Sequence, residues 1–323
     1  GWVYALRARD GALAWRFMDL PEQRLISAGG QLESAWPVCG SILVHEDVAY
    51  FAAGRQSFID GGIVVYGLNP ATGQVLYRRR MFGPLDERRF HILAPGKFRS
   101  RGFKSGIFSS ENDLLYIRQQ GFQPDLTPLE PEEFKASHLI PSAGFLDAVP
   151  QHRTYWTIDT DLRYGGSNQS SGAGPQGDIC VVDGNTYYEI RGYLPGRHSN
   201  VTPTKGFTLY SGERVREGQG RTRARARAFG IPGFGEWRKR WSKQVPLTGR
   251  ALILAGNTLV AAGAPLAPTF GDPDLSKTFA GEKGGVIWTG SKNDGAQIAT
   301  ADLPSLPVWD GLAAAGDQCV IAL

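Results

Sequence analysis

Val65-Tyr66-Gly67-Leu68-Asn69-Pro70-Ala71-Thr72-Gly73-Gln74-Val75-Leu76-Tyr77 reads as strand, tight turn, strand. Apolar and β-branched residues ahead of the turn suit a buried strand. Thr72-Gly73 suits a short hairpin, because glycine adopts positive φ without steric cost. Two further segments align with this one. Val3-Tyr4-Ala5-Leu6 leads to Asp10-Gly11 and then Trp15, and Ile287-Trp288-Thr289-Gly290 leads to Asp294-Gly295 and then Ala299. Such self-similarity is the mark of a repeat architecture.

A second kind of hairpin recurs between these. Ser41-Ile42-Leu43-Val44 leads through Glu46-Asp47 to Val48-Ala49-Tyr50-Phe51. The same design returns with turns at Asn112-Asp113, Gly184-Asn185, Gly256-Asn257 and Gly316-Asp317. Two hairpins per unit make a four-stranded antiparallel sheet, and one such sheet with two apolar faces cannot stand alone. An all-β sandwich would also supply many short strands. The near-constant spacing of the second turn (47, 113, 185, 257, 317) favours sheets stacked radially about an axis, a β-propeller.

The predicted fold is therefore all-β: a β-propeller of four-stranded antiparallel blades, read as one domain over residues 1–323. Blades are expected to begin near residues 41, 107, 177 and 250, with part-blades at 1–17 and 308–323. A blade takes about 40–50 residues, so these units carry long loops. Gly1 opens the sequence without a signal peptide, and Val320-Ile321-Ala322-Leu323 ends it on an apolar run without a turn. Both ends are expected to cut through structure, leaving an incomplete ring whose parent has seven or eight blades.

Composition removes several other classes. Of 323 residues, 41% are hydrophobic and 20% charged, which excludes disorder as the dominant state. With 42 Gly and 20 Pro, few windows of about 12 residues lack a helix breaker, so a large helical protein is excluded. No apolar run reaches the roughly 18 residues of a membrane helix. The net charge of +4 is too mild to imply nucleic acid. Cys39, Cys180 and Cys319 stand far apart, with no CxxC and no metal spacing, and read as three isolated buried thiols.

The 65–77 segment is very similar to the repeat of pyrroloquinoline-quinone (PQQ)-like propellers, which runs V-Y-A-L-D-x-x-T-G-x-x-x-W. Gly1 to Trp15 matches it through the final Trp, and Gly285 to Ala299 keeps the turn without the Trp. The resemblance implies a quinoprotein-type propeller, often eight-bladed, in a bacterial periplasmic or exported setting. It makes Tyr4, Gly11, Trp15, Tyr66, Gly73, Tyr77, Trp288 and Gly295 structural residues of the repeat, with Trp241 filling the same blade-closing role. Enzymes of this superfamily hold PQQ over a Trp beside a calcium bound by acidic and amide side chains, with an Asp as base. Many alcohol dehydrogenases among them add a disulfide between adjacent cysteines. This sequence has no adjacent Cys pair, and none of its residues matches the calcium ligands.

Other catalytic patterns are weak. Asp159-Thr160-Asp161 alternates carboxylates as a calcium loop does, but Arg163 occupies the next ligand position. His45, His91, His138, His152 and His198 include no i, i+4 pair. No GxSxG elbow occurs, and the Gly165–Gly174 stretch lacks the Lys-Ser/Thr of a phosphate loop. Pro131 to Lys135 reads as a helical turn decorating one face.

Charge says more. Residues 214–243 hold ten cations against two acids, with Arg221, Arg223, Arg225 and Arg227 alternating at period two. On a strand these guanidinium groups would share one face and repel, so an extended exposed loop fits better. The segment reads either as a solvated blade insertion or as an anion-binding patch. Arg99, Arg101 and Lys104, interleaved with Phe98 and Phe103, read either as a blade-to-blade loop or as a carbohydrate or anion site.

The sequence thus leans away from an enzyme. Its first functional reading is a non-catalytic binding or scaffold propeller of the bacterial cell envelope, with a protein or glycan partner, no cofactor and no metal. The alternative is a PQQ- and calcium-dependent dehydrogenase oxidising an alcohol or sugar. Nucleic-acid binding through the 214–243 patch is a weaker third.

Overall fold

A computed structural model describes residues 1–28, 30–82, 105–118, 120–129, 138–141, 156–159, 176–192, 207–215, 236–266 and 274–323. The chain divides into two compact units, Gly1–Thr154 with Thr160–Gly165, and Tyr155–Asp159 with Gly166–Leu323. Both are built from antiparallel sheets. The predicted helical turn at 131–135 lies outside the described residues.

In the first unit, β1 (Val3–Leu6) pairs with β2 (Leu13–Phe17), and β3 (Leu25–Ala28) with β4 (Gln31–Ser34). Then β5 (Leu43–His45), β6 (Val48–Ala53), β7 (Ile63–Leu68) and β8 (Val75–Met81) form a four-stranded meander. β9 (Phe108–Glu111), β10 (Leu114–Ile117) and β11 (Gln120–Phe122) form a three-stranded one, with β12 (His138–Ile140) beside β9.

In the second unit, β13 (Trp156–Asp159) pairs with β14 (Gln176–Gly177). Two four-stranded meanders follow. One is β15 (Ile179–Asp183), β16 (Thr186–Arg191), β17 (Phe207–Val215) and β18 (Glu236–Val245). The other is β19 (Ala251–Ala255), β20 (Thr258–Gly263), β21 (Gly285–Ser291) and β22 (Gln297–Leu303). β23 (Leu312–Ala315) and β24 (Gln318–Ile321) close the chain. The helix α1 (Leu275–Ala280) sits between β20 and β21, ended by Gly281 at φ 84. Among the described residues no helix is long and apolar enough to cross a membrane.

Turn chemistry sets the register of each meander. The five first-to-second-strand loops are all two residues long, closed by the pairs His45↔Val48, Glu111↔Leu114, Asp183↔Thr186, Ala255↔Thr258 and Ala315↔Gln318. Glu46, Asp47, Asn112 and Asp113 all take positive φ, the type I′ pattern. In the other three loops glycine supplies positive φ at the first central position (Gly184, Gly256, Gly316), the type II′ pattern. The longer turns before Gly11, Gly73 and Gly295 are copies of one another. The three glycine N–H groups donate to the carbonyls of Arg7, Asn69 and Ser291, and each turn sits beside a bulge in its strand pair.

The middle strands are buried on both faces. β6 and β7 are covered along almost their whole length, whereas β8 is mostly exposed. Alternate residues feed two cores. Ala49, Phe51, Ala53, Val64, Tyr66 and Leu68 pack with Val3, Phe17 and Trp36, while Tyr50, Ala52, Ile63 and Val65 pack with Phe108, Leu115, Ile117 and Phe122. The β5–β8 sheet therefore lies between two neighbours, face against face. In the second unit Ala251, Val260, Ala262 and Ile287 meet Leu312 and Ile321 in the same manner. This is a β-propeller-like stacking of sheets. Of the three thiols, Cys39 and Cys180 are buried as expected, but Cys319 is exposed, because β24 shows it on an uncovered face among the described residues.

A tryptophan latch ties sheet to sheet in each unit. Trp15 of β2 donates its Nε1–H to the Pro70 carbonyl at 2.9 Å, and its ring would meet a Cβ on Gly73 at 2.8 Å. Trp241 of β18 donates to the Lys292 carbonyl at 3.3 Å, and its ring would meet a Cβ on Gly295 at 2.6 Å. Pro70 and Lys292 hold the same place in the repeated turn, as do Gly73 and Gly295. Trp241→Ala should cost about 2–3 kcal/mol, a discount on full-burial values for its partial exposure. Gly295→Val should cost a similar amount, roughly 2 kcal/mol or more, from φ +69 and the displaced indole. Urea denaturation measures both, and losses below about 0.5 kcal/mol, the range of a neutral surface change, would remove the latch as a structural tie.

Candidate functional site

The repeat residues singled out in the sequence go into packing. Gly11, Gly73 and Gly295 make the turns at φ +70, +73 and +69. Tyr66 is fully buried and donates its hydroxyl to the Asp19 carbonyl at 3.0 Å. Trp288 is buried and donates to Gln297 Oε1 at 3.1 Å. Tyr77 lies against the β9–β11 core. Tyr4 differs: it is more than half exposed, 6.0 Å from Trp2, whose ring carries the Arg16 guanidinium at 4.4 Å.

The basic residues Arg99, Arg101, Lys104, Arg221, Arg223, Arg225 and Arg227 lie outside the described residues. So do His91, His152, His198 and the side chains of the Asp159–Asp161 acids. His138 is structural: its Nε2 meets the Arg118 carbonyl at 2.5 Å and its ring stacks on Tyr116 at 4.0 Å.

Two groupings are visible only in three dimensions. The first joins neighbouring sheets of the first unit. A ring nitrogen of His45 and one carboxylate oxygen each of Glu46 and Asp113 lie within 4.8 Å of one another. His45 closes β5, Glu46 follows in the β5–β6 turn, and Asp113 stands in the β9–β10 turn. The two carboxylates are exposed and the imidazole is partly covered. Its Nε2 is out of solvent contact with no hydrogen-bond partner among the described residues.

The second grouping is a buried polar knot at β15 and β16. Glu189 is fully buried, and its Oε1 pairs with the Arg191 guanidinium at 2.5 Å, which also lies 4.4 Å from the Tyr210 ring centre. Removing one partner from such a pair strands the other charge and costs several kcal/mol, on the order of 3–5. Cys180 stands opposite Glu189 in the register, and burial, with the Glu189 charge second, pushes its thiol well above the usual range. The knot offers no reactive thiolate. Asp178 keeps partial exposure as a residue, yet its carboxyl is pushed up to about 7 by loss of water, against the Gly192 N–H donated at 3.1 Å and the Arg191 charge. Glu189 and Arg191 were findable in the sequence, since positions two apart on a strand share a face.

The tryptophans bear on a quinone cofactor. PQQ in the resembling enzymes rests on an indole face. Trp15 and Trp241 are seated on glycine turns, Trp36 and Trp288 are buried, and Trp2 carries a guanidinium. The Trp15, Trp36, Trp241 and Trp288 rings are committed to the protein itself, so these four do not fit that group.

No protein-family model matches the sequence, and no curated protein matches it. Among solved structures it is similar to BamB from Moraxella catarrhalis, at 12% identity and a TM-score of 0.35, over 99% of this chain and 73% of that one. It is also similar to the computationally designed Ika8 protein, at 10% identity and a TM-score of 0.38, over 96% of this chain and 71% of that one. The class of the chain rests on its own geometry: an all-β protein of antiparallel, face-stacked, four-stranded sheets.

Asp178 gives a pH prediction. Its folded-state pKa is raised, so the folded protein holds this proton more tightly than the unfolded chain does. The stability it contributes is full below about pH 4 and is lost as pH rises through about 7. Asp178→Asn should therefore gain several degrees of Tm over the parent at pH 8, with the difference shrinking toward pH 5. Equal Tm differences at both pH values, read by differential scanning calorimetry, would sink the assignment.

Proposed function

We propose that this chain is a β-propeller-like protein of PQQ-like repeats that works as a non-catalytic binding scaffold in the bacterial cell envelope. The observation that carries the reading is the outer strand β8. Val75, Leu76, Arg78, Arg79 and Arg80 are all exposed on it, and its outer edge pairs with no strand among the described residues. An open edge with three cations and two apolar side chains is a template for an extended acidic protein segment, which would add a strand and neutralise the arginines. A glycan with acidic groups is the other partner of matching charge.

The repeat supports a scaffold from a second side. Trp15, Trp36, Trp241 and Trp288 are spent on turns and cores, which leaves these four rings unavailable for a stacked quinone. The reading therefore carries no cofactor, and the PQQ- and calcium-dependent dehydrogenase is its competitor. Titration of the chain with PQQ and calcium, followed by tryptophan emission, separates the two. The expected result is no saturable quenching. Calcium-dependent quenching with micromolar affinity would return the dehydrogenase. For the partner, a photo-crosslinker placed at Leu76 should trap one defined envelope component in cells, and Arg79→Glu should reduce that adduct at least tenfold. An adduct pattern unaffected by Arg79→Glu would remove β8 as the docking edge.

A further inference from the structure

We infer that the His45, Glu46 and Asp113 side chains form a site for a divalent transition-metal ion, with Zn²⁺ as its representative. Three ligand atoms already stand within 4.8 Å of one another. Ligands at about 2.1 Å from a tetrahedral ion lie roughly 3.4 Å apart, so small rotations of the two exposed carboxylates complete the set. The donor chemistry picks the class of ion. Calcium takes an all-oxygen shell, whereas one imidazole with two carboxylates is a zinc-type set. The two negative charges match the cation, and three protein ligands leave a fourth position for water or an incoming carboxylate.

The imidazole supplies an independent reason. A ring nitrogen out of solvent contact is normally hydrogen-bonded. Nε2 of His45 has no such partner among the described residues. An ion ligated by Nε2 supplies that missing partner and leaves Nδ1 as the protonated nitrogen.

The backbone adds rigidity. Glu46 at φ 46 and Asp113 at φ 59 belong to two-residue I′ turns, which hold each carboxylate at the tip of a hairpin. β5 and β9 are the first strands of adjacent sheets, and they lie side by side. An ion here would add to the apolar core and the Tyr50–Pro124 hydrogen bond that already tie the two sheets. The inference does not depend on the scaffold reading or on β8.

The test is calorimetric titration of the full chain with Zn²⁺, repeated with Co²⁺ to read ligand type from the visible spectrum. The expected result is one site of micromolar affinity, a tetrahedral Co²⁺ spectrum without the sulfur charge-transfer band that Cys39, Cys180 or Cys319 would give, and a higher Tm with metal. Asp113→Asn should weaken binding at least tenfold. It keeps the turn, because asparagine tolerates positive φ. Glu46→Gln should act likewise, and His45→Ala should abolish the site. Absence of saturable uptake by the parent chain would overturn the proposal. So would uptake unchanged in Asp113→Asn, which would place the ion elsewhere, even if His45→Ala failed to fold.

Discussion

An indole ring laid on a glycine turn holds neighbouring sheets at a fixed distance. Trp15 does this to the Asn69–Gly73 turn and Trp241 to the Ser291–Gly295 turn, each adding a hydrogen bond to a turn carbonyl. The contact needs three conditions at once. The turn residue must have positive φ and no side chain, the strand must carry a large flat ring, and the carbonyl must point at the ring nitrogen. Either partner alone is ordinary, and together they fix the stagger of one sheet on the next. The face-to-face cores then follow. Once β2 is latched to the turn between β7 and β8, Phe17 reaches Phe51 and Tyr66, at 5.5 and 5.1 Å between ring centres.

The elements legible in the sequence are those whose cause is local. Asp-Gly and Thr-Gly turns and the β-branched runs before them depend on a few adjacent residues, so the three aligned hairpins could be read directly. The five two-residue loops were visible for the same reason. Burial of the middle strands on both faces also shows, as runs such as Val48–Ala53 and Ile63–Leu68 that lack polar alternation. What the sequence hides is meeting at a distance. His45 and Asp113 are unremarkable in separate turns, and only the packing of β5 beside β9 makes them neighbours. Cys319 departs from the expected burial because a free thiol is buried on average, whereas burial of any one depends on whether its face is covered. Of the basic 214–243 segment, Arg214, Arg238, Lys239, Arg240 and Lys243 lie on β17 and β18, while the four alternating arginines and the Arg99–Lys104 group fall outside the described residues.

Burial on both faces also decides where chemistry can sit. A side chain on β6 or β7 points into one core or the other, and it is consumed by packing whatever its type. Polar groups that enter such a sheet must be paired, as Glu189 and Arg191 are, and they then serve the fold. Two kinds of place remain free of that demand: the two-residue tips between first and second strands, and the outermost strand, which has one open edge. The carboxylates of Glu46 and Asp113 occupy the first kind, and the Arg78–Arg80 run occupies the second. Changes at either leave the face-to-face cores intact. The architecture would therefore let the proposed metal at the tips and the proposed partner at the edge be gained or lost separately, with the Trp latch and the glycine turns held constant beneath both.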